Sequence, residues 1–264
     1  MKIHSTAVVD EGAVLGAGCS VGPYAIIEGG VQLGEGCEIA SHVVLRRGTR
    51  LGDGVRVDSF SVLGGEPQSI GFDPSIESGV HVGDRVVFRE GCTVHRSMYA
   101  GKATTIGNDC FLMAQAHVAH DCELGDAVIA ANAVLLAGHV QVGERCFLGG
   151  GSGVHQFCRI GAYAILAGHA LMTVDVPPAC MAAGRNAVHG LNLVGLRRAK
   201  IDPEVIQDVK ACFHAVYKGG GNYKAKAKAA LEEGSLGLSP MGQAFLEFFE
   251  MGKRGFASPQ NNEG

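Results

Sequence analysis

The stretch AHVAHDC, residues 116–122, sets His117, His120 and Asp121 into an otherwise apolar rhythm. An imidazole beside a carboxylate is what a general base needs. The carboxylate fixes the tautomer and stabilises the charged ring, and the far nitrogen is left to take a proton. No serine elbow stands near, which favours direct transfer to an external hydroxyl or amine activated by His120 over a covalent enzyme intermediate.

What positions these residues is a repeat. Steps of six from Ile3 visit Val9, Leu15, Val21, Ile27, Leu33, Ile39, Leu45, Leu51, Val57 and Leu63, all of them Ile, Leu or Val. Four residues after each comes a small or β-branched residue, such as Ala7, Cys19, Val31 or Ser61. The pattern breaks after Leu63 and resumes at Val82, Phe88 and Val94. After one irregular unit it runs from Ile106 through Leu112, Val118, Leu124, Ala130, Leu136, Val142, Leu148, Val154, Ile160 and Leu166 to Met172. A sustained hexapeptide period is the mark of a parallel β-helix, and helical periodicity fits none of it.

Three hexads make one triangular coil of 18 residues, with the first and fifth residue of each hexad pointing inward. Cys19, Cys37, Cys92, Cys110, Cys122, Cys146 and Cys158 all fall at the fifth position, so they read as buried packing residues; no CxxC spacing points to metal or redox chemistry. A core histidine would stand at an inward position, and His120, His139 and His155 do not. Reduced by the coil length they fall near one corner of successive coils, which predicts a file of imidazoles about 5 Å apart on the outside of the prism. Their flanks, LAGHV and VHQFC, are too apolar for a solvated edge, and suggest a wall covered by another subunit with a reaction site in the groove between.

The remaining composition narrows the class. At 264 residues, 47% apolar and net charge −4, the chain can bury a core and carries no global basic field for nucleic acid. MKIHSTAVV has no apolar run of signal-peptide length and no window suits a membrane span, which predicts a cytoplasmic protein. The high count of 40 glycines fits many tight turns. The solenoid is expected to occupy residues 1–178, interrupted by a loop at 64–81, and to stop at VDVPP because Pro177 and Pro178 cannot continue a ladder. A helical domain is expected over 179–264, with a helix from Asp202-Pro203 to the Gly219–Gly221 stop, a lysine-rich helix at about 223–233, a third from Ser239-Pro240 to near Gly252, and a disordered tail SPQNNEG. The helices are expected to pack on the open end of the solenoid.

The ordered set LMAQAHVAHDC (112–122), LAGHV (136–140), VHQFC (154–158), DVPP (175–178) and GLNLVGLRR (190–198), followed by a helical tail, resembles the acyl-carrier-protein-dependent UDP-N-acetylglucosamine O-acyltransferases of lipid A biosynthesis, within the hexapeptide-repeat acyltransferases. The resemblance implies an all-β left-handed parallel β-helix followed by a small α-helical C-terminal domain, assembled as a homotrimer with sites between subunits. It implies transfer of a 3-hydroxyacyl chain from acyl carrier protein to the 3-hydroxyl of the nucleotide sugar. His120 would be general base, Asp121 its orienting partner, and the Gly138 N–H the oxyanion donor. Gln68, His117, His139, His155 and Gln156 match substrate-contacting positions, Asn192 and Arg198 positions near donor and carrier, and Gly168 the position that gauges acyl length. Arg197, Arg198 and Lys200 would attract the acidic carrier. No metal and no cofactor is implied beyond the carrier's phosphopantetheine.

Two departures from the family pattern fall on acceptor binding. Gln68-Ser69-Ile70-Gly71-Phe72 replaces a Gln-Asp-Leu-Lys-Tyr-like stretch, and Val194 replaces an acidic residue. They leave open the same chemistry on another, for instance amino-substituted, nucleotide sugar. A zinc carbonic anhydrase on the same solenoid and a non-catalytic solenoid are further alternatives; the first fits the His117/His120 spacing and adjacent Asp121 poorly.

Overall fold

The computed structural model describes residues 2–259. Its strands, mostly two residues long, form three sheets of 12, 9 and 8 strands that make the walls of a triangular prism. Strands from Lys2–Ile3 onward build the first wall, from Val8–Val9 the second and from Val14–Leu15 the third. In the plain coils each residue pairs with the one a full coil further on. Ile3 lies over Val21, Val9 over Ile27 and Leu15 over Leu33, so the hexad leaders stack into continuous apolar columns. Ile27, Leu45, Leu63, Leu112 and Leu136 are fully buried in those columns. Ile3, an inward residue of the first coil with no coil beneath it among the described residues, is 45% exposed.

All nine cysteines are buried and unpaired with one another. Burial pushes the Cys122 and Cys146 thiols up to about 12, which makes them poor nucleophiles near neutral pH. They fill space at the fifth hexad position as the repeat requires.

The corners are tight turns whose third residue takes a left-handed backbone, at φ +59° in Asp121, +62° in His139 and +65° in Phe157. Such residues repeat at the same corner and lay side chain on side chain. Tyr24, His42 and Phe60 stack at 5.1 and 5.0 Å between centroids on another edge.

Two excursions leave the prism, both at the edge between the second and third walls. The longer, residues 66–78, is shorter than the interruption expected at 64–81, because strands Val62–Gly65 and Gly79–Val82 continue the ladder into its ends. Gly64 permits this: it holds φ +85°, and a Cβ there would lie 2.4 Å from Thr49 Oγ1. The shorter excursion, residues 96–102, is the irregular unit of the repeat.

The solenoid does not stop at the two prolines. Val176 N still donates to Arg159 O, and Cys180–Ala183 adds another parallel strand to the first wall, followed by an antiparallel return at Ala187–Leu191. Pro178 occupies the second position of a corner turn, where no ladder N–H is needed, and proline suits that position. The expected boundary at 178 therefore falls one strand pair early. The expected disorder of the tail also fails at its start, since Ser258–Pro259 pairs with the return strand; residues 260–264 lie outside the described residues.

Among the described residues four helices follow. α1 (Leu193–Arg198) was not foreseen, being only six residues long; Asn192 caps it by accepting from Gly195 N. α2 (Pro203–Tyr217) starts on the Asp202 cap, as the sequence indicates, α3 (Tyr223–Glu233) covers the expected lysine-rich span and is capped by Asn222, and α4 (Pro240–Glu247) ends short of Gly252. Cys212, Val216, Tyr217, Phe245 and Phe249 join the same apolar cluster as the solenoid interior. The Tyr217 hydroxyl donates to Ala257 O at 2.9 Å, and Arg159, pinned on the wholly buried Asp175, reaches Phe248 O at 2.9 Å.

Candidate active site

His120 and Asp121 sit on the turn between His117–Val118 of the second wall and Glu123–Leu124 of the third. His120 Nδ1 and Asp121 Oδ2 are 2.9 Å apart. Since a carboxylate only accepts, Nδ1 carries the proton and Nε2 is the free basic nitrogen. Asp121 is held from the excursion beside it: Ser97 Oγ donates to Oδ1, and Met98 N donates to Oδ2 at 3.1 Å. Burial raises the Asp121 carboxyl, but hydrogen bonds from Ser97, His120 and Met98 and the nearby His139 outweigh it, so its pKa lies below the ordinary value. It stays ionised where a base partner must.

One coil above, Gly138 occupies the place of His120. A Cβ there would lie 2.5 Å from His120 Cε1, so only glycine lets the ring stand against the neighbouring turn. Its carbonyl accepts from Phe157 N at 3.1 Å, and among the described residues its N–H meets no acceptor in the chain.

The other rings pack around this pair. His139 crosses His120 edge-on at 5.2 Å and stacks flat on Phe157 at 4.5 Å. The third ring of the expected file is therefore Phe157, not His155. His139 stands at the third residue of its turn and the coil places 157 above 139, whereas His155 lies two residues earlier, where its Nδ1 is 2.9 Å from Arg254 Nη2. Gln156 is exposed and its carbonyl accepts from Arg254 Nε at 3.0 Å. His117 Nδ1 meets Thr93 Oγ1 at 2.7 Å, and its ring is edge-on to His95 at 4.8 Å. Burial lowers both His117 and His139 below the ordinary imidazole value, with like charge from His120 and Lys253 partly countering Asp121 at His139. These rings rest neutral at pH 7.

His95, Ser97, Phe157 and Arg254 were missed in the sequence. His95 is 8% exposed, its Nδ1 is buried without a partner, and burial followed by repulsion from His117 and His120 lowers its pKa to about 4. Thr93 is paired with His117 across 24 residues rather than 18, because the excursion intervenes, so counting by 18 hides that His95 joins the cluster. Aligning TVH (93–95) with HVA (117–119) across the irregular unit would have found it.

The remaining expected residues lie elsewhere. Gln68 is exposed on the 66–78 loop, outside the hydrogen bonds around His120. Beneath that loop a cavity of about 1010 Å³ is lined by Arg46, Arg47, Arg50, His81, Arg96 and Lys102 among others. Gly168 is exposed at the edge between the first and second walls, and a Cβ there would meet only Gly150 O, at 3.5 Å. Asn192 spends both ends of its amide inside the chain, on Gly195 N and Tyr163 O. Arg197, Arg198 and Lys200 are exposed at the end of α1, which packs against Tyr163 at the edge between the third and first walls. A single chain thus puts the histidines and the α1 cations on different edges.

His120, Asp121 and His139 place donor atoms within 4.8 Å of one another. The 2.9 Å contact between His120 Nδ1 and Asp121 Oδ2 is a hydrogen bond that a shared ion would have to break. The donor set suits a proton-transfer pair better than a metal centre.

Comparison with known proteins decides the family. Residues 175–257 match the family described as Udp N-acetylglucosamine O-acyltransferase, domain 2, and residues 2–47 match the bacterial transferase hexapeptide family. Over 260 residues, 96% of this chain and 98% of the relative, the chain is 41% identical to the acyl-(acyl-carrier-protein)–UDP-N-acetylglucosamine O-acyltransferase of Paraburkholderia phytofirmans. The equivalent protein of Campylobacter concisus is 35% identical over 236 residues, 89% of this chain and 90% of that one. The chain belongs to the acyl-carrier-protein-dependent UDP-N-acetylglucosamine O-acyltransferase family. The solved UDP-N-acetylglucosamine acyltransferase of Francisella novicida superposes on this O-acyltransferase fold with a TM-score of 0.92 at 31% identity, covering 98% of this chain and 95% of that one. That of Campylobacter jejuni gives 0.90 at 34% identity, covering 98% and 100%. The prism is the left-handed parallel β-helix of the O-acyltransferases, with the helical domain that closes it. Among the described residues no helix is long and apolar enough to cross a membrane.

Proposed function

We propose that this protein transfers a 3-hydroxyacyl chain from the phosphopantetheine thioester of acyl carrier protein to the 3-hydroxyl of UDP-N-acetylglucosamine, in the cytoplasm, as the first step of lipid A biosynthesis. The observation that carries the reading is the His120–Asp121 pair with Nε2 left free beside Gly138.

His120 Nε2 takes the hydroxyl proton as the oxygen attacks the thioester carbonyl. The Gly138 N–H donates to the oxyanion of the tetrahedral intermediate. Collapse breaks the carbon–sulfur bond, and the leaving thiolate takes the proton back from His120. In this reading neutral His117 and His139 and the exposed His155 and Gln156 meet the acceptor, and Gln68, exposed on the 66–78 loop, contributes from outside this cluster.

The outer face of the second wall supports a place for the acyl chain. Above His117 the outward residues in register are Leu135, Gly153 and Leu171, and the two leucines are 54% and 51% exposed. This apolar strip runs up the wall between the His120 edge and the bare edge at Gly150 and Gly168, and a long chain would lie along it. Such a strip, and α1 cations held on another edge, fit a homotrimer in which the Arg197, Arg198 and Lys200 patch of one subunit faces the histidines of the next and receives the acidic carrier, with the buried Asn192 holding the start of α1 in place.

The test is acyl transfer by purified protein from 3-hydroxyacyl carrier proteins of several lengths to UDP-N-acetylglucosamine, with His120→Ala in parallel. We expect transfer by the wild type and a loss of about 10²-fold or more in the variant. Acylation of an amino-substituted nucleotide sugar instead would reassign the acceptor; activity retained by His120→Ala would remove the base.

A further inference from the structure

We infer that Ser97 is a positioning residue for the His120–Asp121 pair, an assignment that presupposes the acyltransferase reading. Ser97 is wholly buried in the 96–102 excursion, directly below the turn that carries the pair. Its hydroxyl donates to Asp121 Oδ1, while Oδ2 accepts from Met98 N at 3.1 Å and faces His120 Nδ1 at 2.9 Å. Tyr99 N donates to Ser97 Oγ at 3.0 Å, which occupies a lone pair of that oxygen and leaves its hydrogen for the carboxylate. The competing acceptor, Tyr99 O, is 3.5 Å away.

The carboxylate is thus gripped at both oxygens. A carboxylate held at one oxygen alone turns about its Cβ–Cγ bond, a broad torsion, and carries the bonded imidazole with it. Held at two, it fixes the plane in which His120 Nδ1 must donate, and hence the direction of Nε2. The Asp121 side chain is only 10% exposed, so water is a poor substitute at Oδ1.

Ser97 is itself fixed from the other excursion. Its N–H donates to Gly79 O at 3.3 Å, and its carbonyl accepts from Ser78 Oγ at 2.5 Å. The order of support runs from the end of the 66–78 loop through Ser97 and Asp121 to His120. Ser97 touches no reacting atom in this scheme; it acts through Asp121.

The test compares wild type, Ser97→Ala and Ser97→Thr as full-length proteins. Removing the hydroxyl should lower kcat about tenfold while KM for both substrates stays within about twofold, and threonine should restore most of the rate. A second readout needs no turnover: the downfield proton resonance of the His120 Nδ1–H bonded to Asp121, assigned by its loss in His120→Ala, should move in Ser97→Ala and return in Ser97→Thr. An unmoved resonance, or a wild-type kcat in the alanine variant, overturns the assignment, as does a loss of melting temperature with the resonance in place. Should the wild type transfer no acyl group, the functional reading fails, and the resonance comparison still decides whether Ser97 positions the pair.

Discussion

Gly138 faces His120 so closely that a Cβ on it would lie 2.5 Å from the imidazole Cε1 and 2.6 Å from Nε2. The glycine backbone there is not left-handed, so alanine fits the chain and collides only with the ring. Gly138→Ala should therefore leave the melting temperature nearly unchanged and lower the transfer rate about 10²-fold, the scale of a small misplacement of a reacting group. Steady-state transfer beside a thermal melt checks this, and full activity would mean that the base tolerates a displaced ring.

His95 makes stability depend on pH. Its folded pKa of about 4 lies below the ordinary 6.5, so as pH falls through that interval the unfolded chain takes up a proton that the folded chain refuses. Stability from this group is complete above 6.5, declines toward pH 4 and is flat below, a loss of about 3 kcal/mol in all. His117 and His139 are displaced in the same direction and add to the slope. Urea midpoints at pH 7 and pH 5 should differ less in His95→Gln than in wild type. Equal differences would clear His95 as the source.

Arg159 ties the helical domain to the solenoid. Its Nε donates to Asp175 Oδ2 at 2.8 Å, and its guanidinium lies 4.1 Å over the Phe248 ring. Burial already raises the Asp175 pKa against the pull of Arg159. Arg159→Met would keep the bulk and leave a fully buried carboxylate without its cation, at a cost of about 3–5 kcal/mol. Equilibrium denaturation measures it. A change below about 1 kcal/mol would show that Asp175 is served well enough by backbone N–H groups.

The solenoid was legible because one physical requirement, an apolar leader and a small fifth residue per hexad, is written in every coil. Cys122 and Leu136 could be placed inside from their numbers alone. What register could not reveal was anything off the count. Ser97 and His95 sit where the shorter excursion stretches the spacing from 18 to 24, and Phe157 displaced His155 from the ring stack because the left-handed turn position, not residue type, decides which side chains lie one above another. Pro178 misled for the same reason: read as a strand residue it ends a ladder, and read as a corner residue it is at home. The six residues of α1 are too few to show a period.

The 18-residue repeat gives the molecule a storey height. Adding or removing one such unit among the plain coils between Ile3 and Leu63 would change the number of floors and leave every remaining side chain on its own wall, whereas a single-residue deletion would turn inner faces outward. The chemistry occupies one edge of the upper floors, from Thr93 to Gln156. The lower floors act as a plinth whose height could change by whole coils without disturbing the room above.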